Sequence, residues 1–94
     1  MMWHIFENNW QDKEFIRQRV YGMNDVMKEV KKWNPAEVER VSGVPEAQVY
    51  EATKAMADNR PGTFIWCMGG TQHTIGNNNT RAYCAFQLAL GNMG

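Results

Sequence analysis

A short loop towards the end of the chain carries the residue types best suited to holding a ligand. Three glycines, Gly69, Gly70 and Gly76, accompany a row of hydrogen-bonding side chains: Thr71, Gln72, His73 and Thr74. Glycine lets backbone N–H groups approach an anion closely, and the N-terminus of the next helix favours negative charge. This composition predicts a ligand-binding loop.

Such a loop needs rigid elements before and after it. Thr63–Cys67 is a run of β-branched and aromatic residues behind a Pro-Gly turn signal, which predicts a buried strand. The segment from Asn77 to Leu90 predicts a helix that is apolar nearly all round and therefore belongs inside a larger body. One strand cannot satisfy its own backbone edges, so we expect its partner strands to come from elsewhere.

Residues 1–60 predict a helical lead-in of several short helices, with residues 61–94 forming a strand-loop-helix unit of the same larger domain. Asp12 predicts one helix start, and Asn34-Pro35-Ala36-Glu37 predicts another, with Gly43 as its end. In the helix after Asn34, Val38 and Val41 are expected to face inward. The next helix is expected to bury a stripe of Val49, Ala52 and Met56.

Charge and composition argue against several classes of protein. Ten basic and ten acidic residues give a net charge of zero, and no basic face accompanies the helical hairpin, so nucleic-acid binding is not expected. No apolar run approaches the roughly 20 residues of a membrane span. Cys67 and Cys84 lack the spacing of a metal site and are interpreted as buried packing residues, so we expect no metal ligand in this segment.

One family pattern covers the second half of the chain. It consists of the segments Trp66-Cys67-Met68-Gly69-Gly70-Thr71-Gln72-His73-Thr74-Ile75-Gly76, Asn79-Thr80-Arg81-Ala82 and Leu90-Gly91-Asn92-Met93-Gly94. These segments closely resemble the catalytic subunit of molybdenum or tungsten formate dehydrogenases, which are molybdopterin oxidoreductases. The wider superfamily, including periplasmic nitrate reductases, shares the patterns Met-Gly-x-x-Gln-His-x-x-Gly and Leu-x-Gly-Asn-x-Gly.

The resemblance implies a fold, a cofactor and partners. It implies an α/β fold: a helix-rich fragment with one buried parallel strand, part of a doubly wound, Rossmann-like domain. The cofactor would be bis(molybdopterin guanine dinucleotide) carrying molybdenum or tungsten, with a 4Fe-4S cluster elsewhere in the full subunit. The implied partners are formate, the remainder of the catalytic subunit and iron–sulfur electron-transfer subunits, in the cytoplasm or the periplasm. Met1 resembles a cut end, so we expect an internal fragment.

The resemblance also implies which loop residues contact the cofactor. Met68 and Gln72 match positions that contact the pterin, and Gly69, Gly70 and Thr71 lie between them. The Gln72 amide suits the amide-like edge of a pterin, and Met68 offers a deformable apolar surface to a flat ring. The structural alternative makes Gln72 a residue that bonds its own loop and Met68 a core residue.

Two further loop residues have open roles. His73 is a candidate for a cofactor or substrate-channel hydrogen bond or for a proton relay, with a structural histidine bonded to a nearby carbonyl as the alternative. Arg81 in the first helical turn opposes the helix dipole, so it either answers a phosphate or carboxylate or is simply exposed or internally paired. Asn77, Asn78, Asn79 and Thr80 are interpreted as N-cap and turn residues.

No catalytic residue is expected between Met1 and Gly94. The family's cysteine motif, its metal ligand and its formate-binding Arg and His have no counterpart here. The sequence therefore predicts a part of the cofactor site that is inactive alone. Two alternatives stay open: another molybdopterin enzyme such as nitrate reductase, or a non-enzymatic helical interaction module.

Overall fold

The computed structural model describes residues 1–93 as a set of seven helices. They are α1 (Met2–Glu7), α2 (Lys13–Arg19), α3 (Met23–Val30), α4 (Pro35–Ser42), α5 (Glu46–Asp58), α6 (Met68–Thr71) and α7 (Gly76–Leu90). The helical lead-in predicted for residues 1–60 is therefore α1 to α5. The loop of interest holds α6 and lies against α7.

Local capping chemistry sets several helix ends. The Asp12 carboxylate accepts a hydrogen bond from the Phe15 N–H at 2.9 Å, and the Asn34 side chain accepts one from the Glu37 N–H at 2.9 Å. Each side chain satisfies an N–H group that the first turn cannot pair internally. Gly43 ends α4 in the left-handed region, with φ +75°. These predicted helix boundaries are confirmed.

The hydrophobic core lies where α1, α5 and α7 meet. Its buried residues are Ile5, Ala57, Phe86 and Leu90, and Met56 and Phe64 pack against them. The Asp12 N–H donates to the Ala89 carbonyl at 2.9 Å, which joins the start of α2 to the end of α7. The core thus fixes the position of α7, the helix against which the loop lies.

The buried face of α5 differs from the predicted stripe. Val49 and Met56 are partly buried, but Ala52 is exposed and its neighbour Thr53 is fully buried. The Thr53 hydroxyl donates to the Val49 carbonyl at 2.6 Å, so a polar residue is buried without an unpaired group. In α4, Val41 is 57% exposed, so the prediction that it faces inward was wrong.

The predicted α/β fold with one buried parallel strand is also wrong. Residues 1–93 contain no strand, and Thr63–Cys67 is an irregular segment with Ile65 90% exposed. A strand is defined by backbone pairing, and within the described part of the chain no backbone hydrogen bond involves Thr63–Trp66. The segment is instead held by its aromatic side chains: Phe64 stacks on Tyr83 with ring centroids 5.1 Å apart.

The interpretation of α7 and of the two cysteines needs correction as well. Phe86, Ala89 and Leu90 are buried, whereas Ala82 and Cys84 on the same helix are exposed. Cys67 is exposed too, and both thiols are free. The interpretation of both cysteines as buried packing residues was therefore wrong; for Cys84, the reason is that the described residues cover only one side of α7. Across residues 1–93, no helix has the length and apolarity needed to cross a membrane.

Candidate functional site

The candidate site is the loop Met68–Ile75, which hydrogen bonds attach to the start of α7. The Gly70 and Thr71 N–H groups both donate to the Cys67 carbonyl, at 3.0 and 3.2 Å, and so wind residues 68–71 into the single turn of α6. The Asn79 side chain donates to the Gly70 carbonyl at 2.9 Å. This bond links the turn to the helix that follows it.

Two of the three glycines lie in close approaches. A Cβ at Gly70 would lie 2.6 Å from the Tyr83 hydroxyl, and a Cβ at Gly76 would collide with the carbonyl oxygen of Thr71. A side chain at position 76 would have to displace the backbone of Thr71, whereas a side chain at position 70 would have to displace the end of the Tyr83 side chain. A Cβ at Gly69, by contrast, would meet nothing within 4 Å. The loop is therefore tight against α7 at Gly70 and Gly76 and open at Gly69.

The open side of the loop presents groups that have no partner among residues 1–93. Met68 is 61% exposed, so its alternative role as a core residue is not what the chain shows. The Gln72 side chain is exposed and forms no hydrogen bond with residues 1–93. The backbone N–H groups of Met68 and Gly69 likewise have no acceptor among these residues. The loop can therefore donate and accept several hydrogen bonds around one apolar thioether.

His73 stabilises the loop from within. Its Nε2 atom lies 2.8 Å from the Gly69 carbonyl oxygen, the geometry of the structural-histidine alternative. A carbonyl only accepts, so Nε2 must carry the proton, and in the neutral ring Nδ1 is left as an acceptor. His73 therefore closes the turn and still offers one nitrogen to a ligand.

Arg81 is the sole formal charge from Pro61 to Gly94. Its side chain is exposed and has neither an ion pair nor a hydrogen bond to any described residue. The ion pairs of residues 1–93 are exposed and join neighbours within α2, α3, α4 and α5, or at their ends. The internally paired alternative for Arg81 is thus not what the chain shows.

The role of the asparagines at the start of α7 was only partly predicted. Asn77, Asn78 and Asn79 lie inside the first turn, and the N-cap position is Ile75, without a side-chain cap. Asn79 supports the loop through Gly70, and Tyr83, one turn later, packs beside the same glycine. The i, i+4 spacing of Asn79 and Tyr83, which puts them on one face of a helix, is the sequence signal for this pair.

No group of three or more potential metal-ligating side chains (His, Cys, Asp or Glu) is assembled within residues 1–93. The loop offers amide, hydroxyl, imidazole, thioether and backbone groups. This set suits hydrogen bonding to a large polar organic molecule with flat rings.

Comparison with known proteins gives one consistent family. The chain is 32% identical over 90 residues to the "F420-dependent formate dehydrogenase subunit alpha" of Methanocaldococcus jannaschii, a match that covers 96% of this chain. It is 30% identical over 90 residues to "formate dehydrogenase H" of Escherichia coli, again over 96% of the chain. The chain belongs to the formate dehydrogenase alpha-subunit family. A third such relative, the "formate dehydrogenase major subunit" of Haemophilus influenzae, is 33% identical over 93 residues.

The chain is much shorter than these formate dehydrogenase subunits. It spans 13% of the length of the Methanocaldococcus and Escherichia proteins and 9% of the Haemophilus protein. No protein-family model matches the chain, and no solved structure matches it. The membership therefore rests on sequence similarity to named full-length subunits.

Proposed function

We propose that the chain is a segment of the catalytic subunit of a molybdenum or tungsten formate dehydrogenase, and that its loop forms one wall of the cofactor site. The observation that carries this proposal is sequence similarity to subunits named formate dehydrogenase, which extends over 96% of the length of this chain. Within that segment, Met68–His73 is the part whose exposed groups suit a ligand.

The loop has groups that suit hydrogen bonding and ring contact with a bis(molybdopterin guanine dinucleotide) cofactor. Gln72 would bond the amide-like edge of a pterin, and the exposed Met68 thioether would lie against a ring face. The open space at Gly69 allows a flat ring to approach the backbone, whose N–H groups are unpaired there. Thr71 and His73 add a hydroxyl and a ring nitrogen, and Gly70 keeps the turn seated on α7.

In this proposal, the cofactor and the residues of this chain have different roles. When bound, the cofactor supplies a metal centre that exchanges two electrons with formate, the substrate that is oxidised to carbon dioxide or formed in reverse. The residues of this chain bind and orient the pterin and exclude water from it, as proteins do for reactive cofactors. In this proposal, the formate-binding residues, the metal ligand and the 4Fe-4S cluster belong to the rest of the catalytic subunit, and electrons leave through iron–sulfur subunits.

The test uses the full-length parent protein. We expect the purified parent to contain molybdenum or tungsten with extractable pterin, and to reduce an artificial electron acceptor with formate as the donor. If the parent contains the pterin but reduces nitrate and does not oxidise formate, the proposed cofactor would stand and the proposed substrate would be wrong. A parent without metal and pterin, purified under conditions that preserve them in a known formate dehydrogenase, would contradict the proposal.

A substitution in the loop tests the assignment of Gln72. Gln72→Ala in the parent removes hydrogen bonds to the cofactor, which should weaken its binding by about 1–3 kcal/mol. The matched control is Gln48→Ala, because Gln48 is an exposed glutamine on α5, away from the loop. Pterin content per protein should fall for Gln72→Ala and stay unchanged for Gln48→Ala. Equal pterin content in both variants would exclude Gln72 from the site.

A further inference from the structure

An open cleft of about 770 Å³ lies between α2 and α3 and shares no residue with the candidate loop. It exists because the two helices pack on different neighbours: α2 contacts α7, and α3 contacts α1. Its floor is apolar and at least partly buried, with Ile16 and Val20 on the α2 side and Met23 and Met27 on the α3 side. The members of each pair are four residues apart and therefore lie on one side of their helix. We define this feature as the α2–α3 cleft.

Cations lie along the edges of the α2–α3 cleft. Lys13 and Arg17 are exposed on α2, Lys28 is exposed on α3, and Asp25 is the one carboxylate of the lining. Three positive charges and one negative charge give the lining a net charge of +2. Arg17 pairs with Glu14, whereas Lys13 and Lys28 have no ion pair among the described residues. The cleft therefore offers positive charge that the chain itself does not neutralise.

The charges of the chain are unevenly distributed, although they sum to zero. Residues 13–32, which include α2 and α3, contain six basic and three acidic side chains, whereas the other residues contain four basic and seven acidic ones. The first group thus has a net charge of +3 and the rest of the chain −3. A surface of one sign attracts a partner of the opposite sign and rejects partners of like sign. The charge of the cleft is complementary to an acidic partner.

The other side chains of the α2–α3 cleft favour a polypeptide as that partner. Tyr21 is fully exposed in the lining, and the Oε1 atom of Gln11 is buried without a hydrogen-bond donor among residues 1–93. An unpaired acceptor favours an occupant that donates hydrogen bonds, which a simple anion such as phosphate does not. Tyr, Arg and Met are enriched at protein–protein interfaces, and this lining contains all three.

The elements beside the cleft specify the conformation of the occupant. α2 and α3 pair their backbone groups within each helix, so the cleft offers no strand edge for an extended peptide to join. The occupant must therefore satisfy its own backbone groups, as a helix does. A helix with large apolar side chains on one face and Asp or Glu on both flanks would complement the apolar floor and the cationic edges.

We infer that the α2–α3 cleft is the docking site for an acidic amphipathic helix of a separate protein. The exposed lysines distinguish this surface from residues 61–93, where the exposed apolar side chains accompany a single formal charge. Lysine is strongly hydrated and seldom fully buried, so cationic edges are typical of a surface that binds reversibly. The inference goes beyond the proposed function and does not rest on it.

Binding of a model helix to the full-length parent tests the inference. The probe is a fluorescein-labelled peptide of about 20 residues, long enough to form a helix, with leucines at i, i+3, i+4 and i+7 and glutamates on both flanks. Fluorescence anisotropy should show saturable binding that weakens as the salt concentration rises, because salt screens the charges. A control peptide with lysine in place of each glutamate should bind at least about tenfold more weakly.

Three results of this titration would overturn the inference. The first is that the glutamate peptide does not bind the parent. The second is that the lysine peptide binds as tightly as the glutamate peptide. The third is that a single-stranded oligonucleotide with the same net charge binds as tightly as the glutamate peptide, which would assign the cleft to nucleic acid.

Two matched double variants of the parent locate the binding site. Lys13→Glu with Lys28→Glu reverses both unpaired cations of the cleft, whereas Lys31→Glu with Lys54→Glu makes the same change of net charge at exposed positions outside it. The first should weaken binding of the glutamate peptide about tenfold or more, and the second less than about threefold. Equal affinities for the two double variants would contradict the inference.

Tyr21→Ala tests one contact without disturbing the core, because Tyr21 is fully exposed. The Tm of the parent should be unchanged, and the affinity for the glutamate peptide should fall several-fold, since exposed tyrosines often contribute strongly to interfaces. If the variant binds the peptide as tightly as the unmodified parent, the peptide does not occupy the cleft and the inference is wrong. Pterin content and formate oxidation are measured separately, so this failure would leave the proposed function intact.

Discussion

The two ring nitrogens of His73 have different environments. Nε2 is bonded to the Gly69 carbonyl at 2.8 Å, and Nδ1 has no partner among residues 1–93. The bond spans four residues and closes the turn that carries Gly70, Thr71 and Gln72. His73 would therefore affect ligand binding mainly by stabilising the conformation of the loop.

His73→Phe should therefore loosen the loop, whereas His73→Gln should preserve it, because a glutamine amide can still donate to the Gly69 carbonyl. A neutral hydrogen bond contributes about 0.5–1.5 kcal/mol, so the loss should lower cofactor retention several-fold. Pterin content of the purified parent after dialysis is the measurement. If His73→Gln loses as much pterin as His73→Phe, the Gly69 bond is not the reason for the loss.

His4 is a buried titratable residue that lies away from the loop. Its ring packs edge-on against Trp3 and Tyr50, with centroids 5.2 and 5.5 Å away, and the residue is 4% exposed. Burial is the main cause that lowers the pKa of His4 below its usual value of 6.5, the N-terminal ammonium adds to it, and Glu46 opposes it. The folded chain therefore favours the neutral imidazole.

This lowered pKa gives a pH dependence with a definite sign. Above about pH 6.5 both folded and unfolded forms hold neutral His4, so its contribution to stability is complete. As the pH falls below that value, the unfolded form binds a proton first, and stability decreases until the lower folded pKa is passed. Urea unfolding of the 94-residue chain can be followed by circular dichroism. The urea concentration at the unfolding midpoint should fall as the pH is lowered from about 7.5 to about 5, a range that brackets the ordinary histidine pKa. His4→Phe should flatten this decrease, and an unchanged slope in that variant would exclude His4 as its source.

At the scale of elements, short-range chemistry was predictable and long-range pairing was not. Asp12, Asn34 and Gly43 set helix ends through contacts within four residues, so the sequence alone predicts them. Thr63–Cys67 has the composition of a strand, but a strand also needs a partner, and residues 1–93 supply none. The sequence predicted that Ala52 is buried, but the buried residue is its neighbour Thr53. This error has a similar origin, because the side of α5 that is buried depends on where α1 lies.

The candidate loop was likewise predictable only in part. Its glycine cluster predicted close backbone approaches, which the structure shows at Gly70 and Gly76 but not at Gly69. The support from Asn79 and Tyr83 was not predicted, because their i, i+4 spacing puts them on one face of α7 but does not say that α6 lies against that face.

The start of α4 gives a quantitative test of an element. Asn34→Ala removes the acceptor for the Glu37 N–H and should cost about 1 kcal/mol of unfolding free energy. The control is Asn24→Ala, because Asn24 is exposed near the start of α3 and its side chain caps nothing. Urea unfolding of the 94-residue chain measures both variants. Equal midpoints for the two variants would mean that the Asn34 cap contributes nothing measurable.

At the scale of the whole molecule, the chain is a small helical body that leaves several large apolar side chains of residues 61–93 exposed. Ile65, Trp66, Met68, Ile75 and Met93 are all more than 40% exposed, and they are exposed in the region that holds one formal charge. In the proposed parent, the cofactor covers the loop.

The most direct test of this account is a structure of the parent protein with its cofactor bound. The account predicts that a pterin lies against Met68 and that the Gln72 side chain is within hydrogen-bond distance of it, about 3 Å. A pterin bound elsewhere, with Met68 and Gln72 contacting only protein or solvent, would contradict the central claim.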